Sequence, residues 1–385
     1  MSKKKKVKLN KRLGDLKVSS YRNLFNAALA IPAVAMSFST QAQAQNKAED
    51  TKVKFFYADY RDYDRYDDRM HIQAPIAWMR APVSDSVDIE GSFTLDSMTG
   101  ASPFYHNTLT GASGEGVNDT RRAYDLKLTK YMENFSVSVG TAFSDEDDYE
   151  SAAGSLETSI WTEDKNTIFT AGFSGSSDDI SSSIAPTLDE SRRTFNFILG
   201  VTQVLDVNSI LQTNLSFTSG DGFFSDPYKT LDKRPESRDQ WALLTRYNRY
   251  FEEIDASLHT DYRYYTDSWG IDSHMVEFAL YKPIGDSFLL RPNIRYYTQN
   301  AADFFIDSFP PEDFERFISG DQRMSSFGGV TAGLKLSAEM GAGFTTDLLY
   351  SYIMQRPEWT LGSSGSSVIE PFRARILAVS LTKQF

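Results

Sequence analysis

Hydrophobic and polar residues alternate with a period of two along most of the chain. The clearest run is 87–96, VDIEGSFTLD, in which apolar or small side chains occupy the odd positions and polar or acidic ones the even positions. The last run, 373–385, alternates in the same way and ends on Phe385. Successive side chains of a β-strand point to opposite faces, whereas a helix face repeats every 3.6 residues. The pattern therefore predicts strands whose two faces meet different surroundings.

Sixteen such runs follow one another, and short turns alternate with longer polar loops between them. The predicted strands are 52–60, 69–79, 87–95, 121–132, 135–144, 151–162, 167–174, 191–205, 209–218, 239–251, 254–266, 273–284, 287–298, 323–337, 342–354 and 371–385. The long loops are 97–120, 175–190, 219–238, 299–322 and 355–370. All five follow odd-numbered strands, so they are expected on one rim.

An even number of strands, with short turns on one rim and long loops on the other, is typical of outer-membrane β-barrels. A soluble β-sandwich has no reason to segregate its loops in this way. The sequence therefore predicts an all-β fold, a transmembrane antiparallel up-and-down β-barrel of about 16 strands, with 14 as the alternative. Its short turns would be periplasmic and its long loops extracellular, and both termini would lie on the periplasmic side.

The first 44 residues have the pattern of a secretory signal. A lysine-rich start precedes an apolar stretch at 24–38 and the small-x-small sequence Ala42-Gln43-Ala44. The alternative, an uncleaved membrane anchor, is disfavoured because the apolar stretch is shorter than the roughly 20 residues of a spanning helix. We therefore divide the chain into a signal peptide, 1–44, and a barrel domain, 45–385.

Charge and composition narrow the partners and cofactors. Without residues 1–44 the chain keeps 31 basic and 51 acidic side chains, a net charge of −20, which argues against binding nucleic acid. Cysteine is absent and there are four histidines, so disulfides, thiolate sites and a transition-metal centre are not expected. The sequence predicts no cofactor. Aromatic residues are abundant, with 20 Tyr, 27 Phe and 5 Trp, as in outer-membrane barrels.

The register opposite the apolar one is polar and of mixed charge. The candidate lumen-lining residues are Asp88, Glu90, Asp125, Lys127, Asp255, His259, Asp261, Arg263, Arg291, Arg295, Lys335 and Asp347. One interpretation is a pore whose opposed charges focus a field on a passing solute. The other is a set of paired charges that holds a closed barrel rigid. Both interpretations remain open, because sixteen strands leave an aqueous channel only if no loop fills it.

His259 and Asp261 share one face of a predicted strand, which invites a base-and-orienter interpretation in a surface hydrolase. Two neighbours on a strand do not make a catalytic geometry by themselves, and the Gly-x-Ser-x-Gly and His-Glu-x-x-His motifs are absent. A salt bridge or hydrogen bond in the lumen is the preferred interpretation, and the sequence predicts no enzyme.

Two features of the long-loop rim form a candidate loop site. An acidic run at 145–150 could bind Ca²⁺ but lacks EF-hand spacing, so a solvated loop is preferred. The segments 220–231 and 301–318 carry aromatic residues that water disfavours, so a plug folded into the lumen is preferred for them. The candidate residues are Asp145, Asp147, Asp148, Asp226, Tyr228, Asp303 and Phe304.

Several stretches together resemble an uncharacterised family of predicted bacterial outer-membrane barrels, a domain of unknown function. They are DSMTGASP at 96–103, DEDDYES at 145–151, GDGFFSDPYKTLDKRPESR at 220–238, LRPNIRYYTQNAADFF at 290–305 and SGDQRMSSFGGVTAGLKL at 319–336. The resemblance implies a barrel but no substrate. Some of these stretches fall where predicted strands run into their loops, which fits a ligand or partner site at that mouth.

These observations favour a porin-like channel for a small solute in the outer membrane of a Gram-negative bacterium. The alternative is a plugged, non-conducting scaffold that binds a periplasmic or lipid-anchored protein, such as a redox protein, and an outer-membrane hydrolase is third. The expected surroundings are outer-membrane lipids and lipopolysaccharide. The terminal strand also resembles the signal read by the bacterial barrel-assembly machinery, with Lys383 as a departure from its apolar register.

Overall fold

A computed structural model of the chain describes residues 47–63, 68–100, 117–183, 185–229, 231–307, 317–367 and 371–385. The predicted signal peptide, 1–44, lies outside these residues. In the described part of the chain, no helix has the length and hydropathy of a membrane-spanning segment.

The described residues form eighteen strands and two short 3₁₀-helices. The strands are β1 (Lys52–Tyr63), β2 (Asp68–Ser84), β3 (Val87–Gly100), β4 (Val117–Tyr131), β5 (Phe135–Asp145), β6 (Tyr149–Trp161), β7 (Thr167–Ile180), β8 (Glu190–Asp206), β9 (Ser209–Gly222), β10 (Asp232–Lys233), β11 (Ser237–Phe251), β12 (Ala256–Asp267), β13 (Asp272–Ile284), β14 (Phe288–Gln299), β15 (Ile318–Ser319), β16 (Phe327–Gly341), β17 (Phe344–Arg356) and β18 (Phe372–Gln384). The 3₁₀-helices are Gln322–Met324 and Pro357–Trp359.

Sixteen of these strands form one closed antiparallel barrel, which confirms the predicted fold and strand number. Each long strand pairs with the next one along the chain, and β18 pairs with β1 to close the ring. The short strands β10 and β15 form a separate two-stranded sheet in the loops. A meander of this kind needs no crossover, because every connection is a hairpin.

The loops are segregated as the sequence predicts. The turns 85–86, 132–134, 162–166, 207–208, 252–255, 285–287 and 342–343 lie on one rim, and all the other connections between barrel strands lie on the opposite rim. We call these the short-turn rim and the long-loop rim. The strands run further into the long-loop rim than expected, because β3 continues to Gly100 and β7 to Ile180.

Two strands begin later than the sequence predicts, and local interactions explain both differences. Arg323 does not start a strand but lies in the 3₁₀-helix Gln322–Met324, where the Asp321 side chain accepts a hydrogen bond from its backbone N–H. Asp255 was expected on a strand facing the lumen, and this was wrong. It lies in the turn 252–255 with a φ of 45°, a left-handed conformation that aspartate tolerates, and β12 begins at Ala256.

The two faces of the wall differ as the alternation predicts. Large apolar side chains such as Phe93, Leu126 and Phe173 are exposed on the outer face. Their neighbours in sequence point inward and are polar or small, for example Ser92, Asp125 and Ser174. The wall at β1, β2, β17 and β18 is an exception, because its inner face carries an apolar cluster of Phe56, Ala58, Ala74, Leu349 and Ala378.

The seam between the first and last strands is continuous. Lys52 to Tyr63 pair in register with Gln384 to Arg373. Lys383, which breaks the apolar outer register, donates a hydrogen bond to the Ala342 carbonyl oxygen in the neighbouring turn. Its ammonium group lies 4.5 Å from the Phe344 ring centroid and 5.4 Å from that of Phe385. The charge is therefore held at the short-turn rim, where water is near.

The seam can be tested by cross-linking, because the native chain contains no cysteine. Ala58 and Ala378 are paired across the seam and both face inward. We expect Ala58→Cys with Ala378→Cys to form a disulfide on oxidation, since directly opposed Cβ atoms lie about 4.5–5.5 Å apart. The oxidised protein should then resist unfolding on heating in detergent until a reductant is added.

The control is Ala58→Cys with Leu377→Cys, because Leu377 points outward from the adjacent position. Equal cross-linking of both pairs, or of neither pair, would contradict the closed register.

Candidate functional site

One part of the inner wall is rich in carboxylates. On β3, β4 and β6 the inward side chains Asp88, Glu90, Asp125 and Glu157 accompany Lys127, and we call these five residues the acid-rich wall. Lys127 Nζ lies 3.3 Å from Glu90 Oε2, and the Asp88 carboxylate receives a 2.7 Å hydrogen bond from Arg80. Asp125 accepts a hydrogen bond from the Ser92 hydroxyl. The carboxylates of this wall therefore outnumber its cation.

Another part of the inner wall is rich in cations, and we call it the base-rich wall. Its residues, on β11, β12, β13, β14 and β16, are Arg246, Arg263, Arg291, Arg295, Lys335, Asp261 and Glu277. Glu277 lies 3.4 Å from Arg291 and 2.7 Å from Arg295. Arg246 lies 3.2 Å from Asp261. The cations of this wall outnumber its carboxylates.

The two walls lie opposite each other in the ring of strands. From β4 to β13 there are eight steps in either direction around the sixteen-stranded barrel. Strands β3 to β6 therefore lie across the lumen from β12 to β16. A lumen with carboxylates on one side and cations on the other has an electric field across it, and low-dielectric walls strengthen such a field.

The inward charged groups are accessible to water, although they lie inside a barrel. The Glu90 and Lys127 side chains are 26 % and 25 % exposed, and the Arg295 side chain is 22 % exposed. Since each lies several residues from the strand ends, the exposure comes from space within the barrel. The wall at these levels therefore faces a solvated interior.

Near the short-turn rim, Asp347 joins its own strand, β17, to three others. Its carboxylate lies 3.4 Å from Lys54 and 3.1 Å from Lys335, and accepts hydrogen bonds from Ser337 and Ser380. This arrangement links β1, β16, β17 and β18 on the inner side of the seam.

His259 and Asp261 have separate neighbours on the wall. The His259 ring lies 4.2 Å, centroid to centroid, from the Tyr281 ring, and Asp261 accepts a hydrogen bond from Arg246. These contacts agree with the preferred interpretation of the two residues as salt-bridge or hydrogen-bond partners in the lumen. In the part of the chain that the structure describes, no group of three or more His, Asp or Glu side chains is arranged to hold a metal ion.

At the long-loop rim, an aromatic cluster lies against inward-facing side chains. Trp269 is buried, and its ring makes edge contacts with Phe224 and Phe304 at centroid distances of 5.4 and 5.3 Å. Arg238, on the inner face of β11, lies 4.1 Å above the Trp269 ring. Arg192, on the inner face of β8, lies 5.2 Å from the Phe224 ring centroid. The loops after β9, β12 and β14 therefore bend inward over the mouth.

A buried ion cluster joins two of these loops. The Asp321 carboxylate is fully buried and lies 2.6 Å from Lys229, 2.6 Å from Arg234 and 2.8 Å from Arg323 Nε. Asp226 lies 2.9 Å from Arg323. We call these five residues the loop clamp. Sheet β10–β15 supports it, since Asp232 pairs with Ser319.

The charges of the loop clamp determine the protonation of its central residues. Burial alone would favour the neutral acid at Asp321, but Arg323, Lys229 and Arg234 outweigh it and hold its pKa well below the usual range. Burial, together with Arg323, lowers the pKa of Lys229 although two carboxylates are near. Asp321 is therefore a charged centre whose loss would leave buried cations without a partner.

The candidate loop residues divide into those that the structure brings together and those that it does not. Tyr228 donates a hydrogen bond to Asp148, and Asp226 belongs to the loop clamp. Phe304 belongs to the aromatic cluster, and the backbone N–H of Asp303 donates a hydrogen bond to the Trp269 carbonyl oxygen. Asp145 lies apart, 3.9 Å from Arg122, and Asp147 is exposed. Two aromatic residues of the predicted plug segment 301–318, Phe309 and Phe314, lie outside the described residues.

Sequence reasoning missed several residues of these sites. Asp321, Lys229 and Arg234 gave no signal, because ionic contacts between separate loops have no periodicity. The inward positions of Glu157 and Glu277 could have been predicted from the sequence, since both residues lie in the polar register of an alternating strand. Trp269 lies in a short connection between two alternating runs, where a buried tryptophan was not expected.

Comparisons with known proteins agree with this architecture. A family described as "Protein of unknown function (DUF3570)" matches residues 21–370. A comparison with curated proteins gave no match.

Among solved structures, a bacterial polysaccharide outer membrane secretin is 8 % identical, with 87 % of this chain and 98 % of that chain covered and a TM-score of 0.52. CdiB from Acinetobacter baumannii is 10 % identical, with 86 % and 60 % covered and a TM-score of 0.50. OpdK from Pseudomonas aeruginosa, in complex with vanillate, is 9 % identical, with 88 % and 99 % covered and a TM-score of 0.45. The fold is that of an outer-membrane β-barrel.

The loop clamp predicts a specific effect of Asp321→Asn. Removing one partner from a buried ion cluster costs about 3–5 kcal/mol, because the remaining charges stay buried without compensation. We expect the loops after β9 and β14 to detach while the barrel stays folded. Limited proteolysis of the detergent-folded protein should then cleave 317–326 at least about tenfold faster than in the wild type.

Asp307→Asn is the matched control, because Asp307 is an exposed carboxylate of the same loop. Equal cleavage rates in wild type and Asp321→Asn would contradict the loop clamp.

Proposed function

The chain belongs to the DUF3570 family, and from its barrel fold and its charged inner walls we propose that it is a porin-like channel for a small polar solute. Solute would cross the lumen between the acid-rich and base-rich walls. The loops that carry the aromatic cluster and the loop clamp would narrow the outer mouth and restrict the size of what enters.

The partial exposure of inward charges carries this proposal. A barrel filled with its own side chains would bury groups such as Glu90, Lys127 and Arg295, whereas each is more than a fifth exposed. Charged side chains inside a membrane protein commonly mark a water-filled path for ions or substrates. The opposed walls provide the polar lining that a hydrated solute needs.

We further propose that the protein lies in the outer membrane of a Gram-negative bacterium, surrounded by phospholipid and lipopolysaccharide. The signal peptide 1–44 would direct export, and 45–385 would form the mature barrel. The terminal strand, ending on Phe385, would be read by the barrel-assembly machinery. The outward apolar face and the position of Lys383 at the rim support this placement.

The second candidate is a plugged scaffold that binds a periplasmic, lipid-anchored or surface protein. The inward bend of the long loops favours it, because Trp269 and Phe224 contact inner-wall arginines. A stoichiometric partner recovered from native membranes, together with an absence of conductance, would support this candidate over the channel. The contacts of Asp261 and His259 support no hydrolase proposal.

Conductance in planar lipid bilayers tests the channel. We expect the detergent-folded barrel to give stable open-channel currents, and Ser138→Trp to lower them, because Ser138 faces inward on β5. Val139→Trp is the matched control, since Val139 is exposed on the outer face. A folded wild-type barrel that never conducts, or equal currents in the two variants, would contradict the proposal.

A further inference from the structure

We infer that the outer wall of the barrel binds the phosphate groups of a lipopolysaccharide molecule at the seam between the first and last strands. This inference rests on the proposed placement in the outer membrane, with the long loops outside the cell, and it does not depend on conductance through the lumen. The site is built on Arg61 of β1 and on Arg373 and Arg375 of β18, and we call these three residues the arginine patch.

The arginine patch lies on the outer face of the wall. Arg373 and Arg375 are exposed and share the register of Leu377, which points outward. Arg61 shares the register of the outward Phe55, and its side chain is 39 % exposed. The patch is therefore open to the surroundings of the barrel and not to its lumen.

The patch also lies at one edge of the apolar band. Between Lys383 and Arg375, the outward positions of β18 carry Leu377, Val379 and Leu381. This stretch of eight residues corresponds to about 26 Å of strand, and to about 20 Å across the membrane at a tilt of about 40°. The apolar band of outer-membrane barrels is roughly 25 Å tall. Arg375 therefore lies where lipid tails end and headgroups begin, on the side of the long-loop rim.

Two arginines of the patch face each other across the seam. Arg61 is directly opposite Arg375 in the ladder between β1 and β18, and the next outward pair toward the loops is Tyr63 with Arg373. Like charges in directly opposed positions destabilise a pair of strands. A phosphate group between them would remove this repulsion, because it carries negative charge and accepts paired hydrogen bonds from a guanidinium group.

The neighbouring side chains in the described part of the wall leave the patch positively charged. Asp59 lies 3.0 Å from Arg61 and is shared with His71, which lies 2.6 Å away. On the other side, the β17 residues opposite the two β18 arginines are the uncharged Tyr352 and Met354. Three arginines therefore accompany one carboxylate in this outward register.

Two other outward arginines near the long-loop rim are placed differently. Arg122 on β4 is opposite Asp145, and their charged groups lie 3.9 Å apart. Arg193 on β8 is opposite Asp221. Each has an acidic residue across the ladder, whereas at the seam two arginines oppose each other. The seam is therefore a basic region on the outer wall of an acidic protein.

Tyrosines flank the arginine patch. The hydroxyl groups of Tyr63 and Tyr352 lie 3.3 Å apart although β18 separates their strands, so the two side chains meet over the outer face of β18. One step toward the apolar band, Gln73 donates a 2.8 Å hydrogen bond to the Tyr57 hydroxyl. Tyrosine favours the boundary between lipid and water, because its ring is apolar and its hydroxyl is polar.

A phosphorylated glycolipid fits this arrangement better than a soluble anion. Its phosphates would lie level with the arginine patch, while its acyl chains would lie along the apolar side chains Leu377 and Val379. Basic sites at a membrane surface recognise anionic headgroups in this way. In the outer leaflet of the proposed location, the phosphorylated glycolipid is lipopolysaccharide.

Retention of lipid A, the phosphorylated anchor of lipopolysaccharide, by the detergent-folded barrel tests the inference. We expect native mass spectrometry to show one lipid A bound to each wild-type barrel, and dephosphorylated lipid A to be lost. The seam variant carries Arg373→Gln and Arg375→Gln. It should bind lipid A at least about tenfold more weakly, because it lacks two charge-assisted contacts.

Thermal unfolding in detergent gives a second readout. Lipid A should raise the unfolding midpoint of the wild type, since a ligand that binds the folded state stabilises it, and should not raise that of the seam variant. Without lipid A, the seam variant should be at least as heat-resistant as the wild type, because the repulsion between Arg61 and Arg375 is gone.

The control carries Arg122→Gln and Arg193→Gln, which remove the same charge from outward positions near the same rim, and it should retain lipid A as the wild type does. Equal retention by wild type and seam variant, equal retention of phosphorylated and dephosphorylated lipid, or a second barrel bound at the seam in place of lipid would overturn the inference. A folded barrel that retains lipid A without conducting overturns the channel alone. Recovery of the folded protein in the inner-membrane fraction of cells overturns the placement on which the inference rests.

Discussion

The structure depends on the pairing of backbone hydrogen bonds within a closed ring of strands. In hydrocarbon an unpaired N–H or C=O group costs several kcal/mol, so a sheet that spans a membrane cannot have a free edge. Strand β18 satisfies this constraint by pairing with β1 along their whole length. Because the ring is a meander with an even number of strands, both described ends of the chain lie on the short-turn rim, and the long loops lie on the other.

Closure also decides where charge can be placed. Successive side chains of a strand point to opposite faces. Because the apolar side chains occupy the outer face, the polar side chains that alternate with them point inward. Inside the barrel these groups pair mostly with adjacent strands, as Arg295 does with Glu277, while keeping contact with water. The acid-rich wall carries more carboxylates than cations and the base-rich wall more cations than carboxylates, so the two walls differ in net charge. The field in the lumen is therefore a consequence of the strand order and of which inward positions carry acidic or basic side chains.

The strands were predictable because each carries its own signal, as 135–144 does for β5 (Phe135–Asp145). The inward position of Asp125 and Lys127 followed from the same alternation. The loop clamp was not predictable, since Asp321 meets Lys229 and Arg234 across a long sequence separation, and contacts of that kind depend on the folded loops. Asp255 was misplaced because an alternating pattern does not mark where a strand gives way to a left-handed turn residue.

The central claim is that the charged register faces water inside the barrel. Single cysteines at inward Lys127 and Arg295, and at their outward neighbours Leu126 and Ile294, test it most directly, since the native chain has none. With the barrel in lipid vesicles, a charged, lipid-insoluble thiol reagent should modify Lys127→Cys and Arg295→Cys rapidly and Leu126→Cys and Ile294→Cys slowly. Rapid modification of the outward pair alone, or protection of the inward pair, would contradict the account.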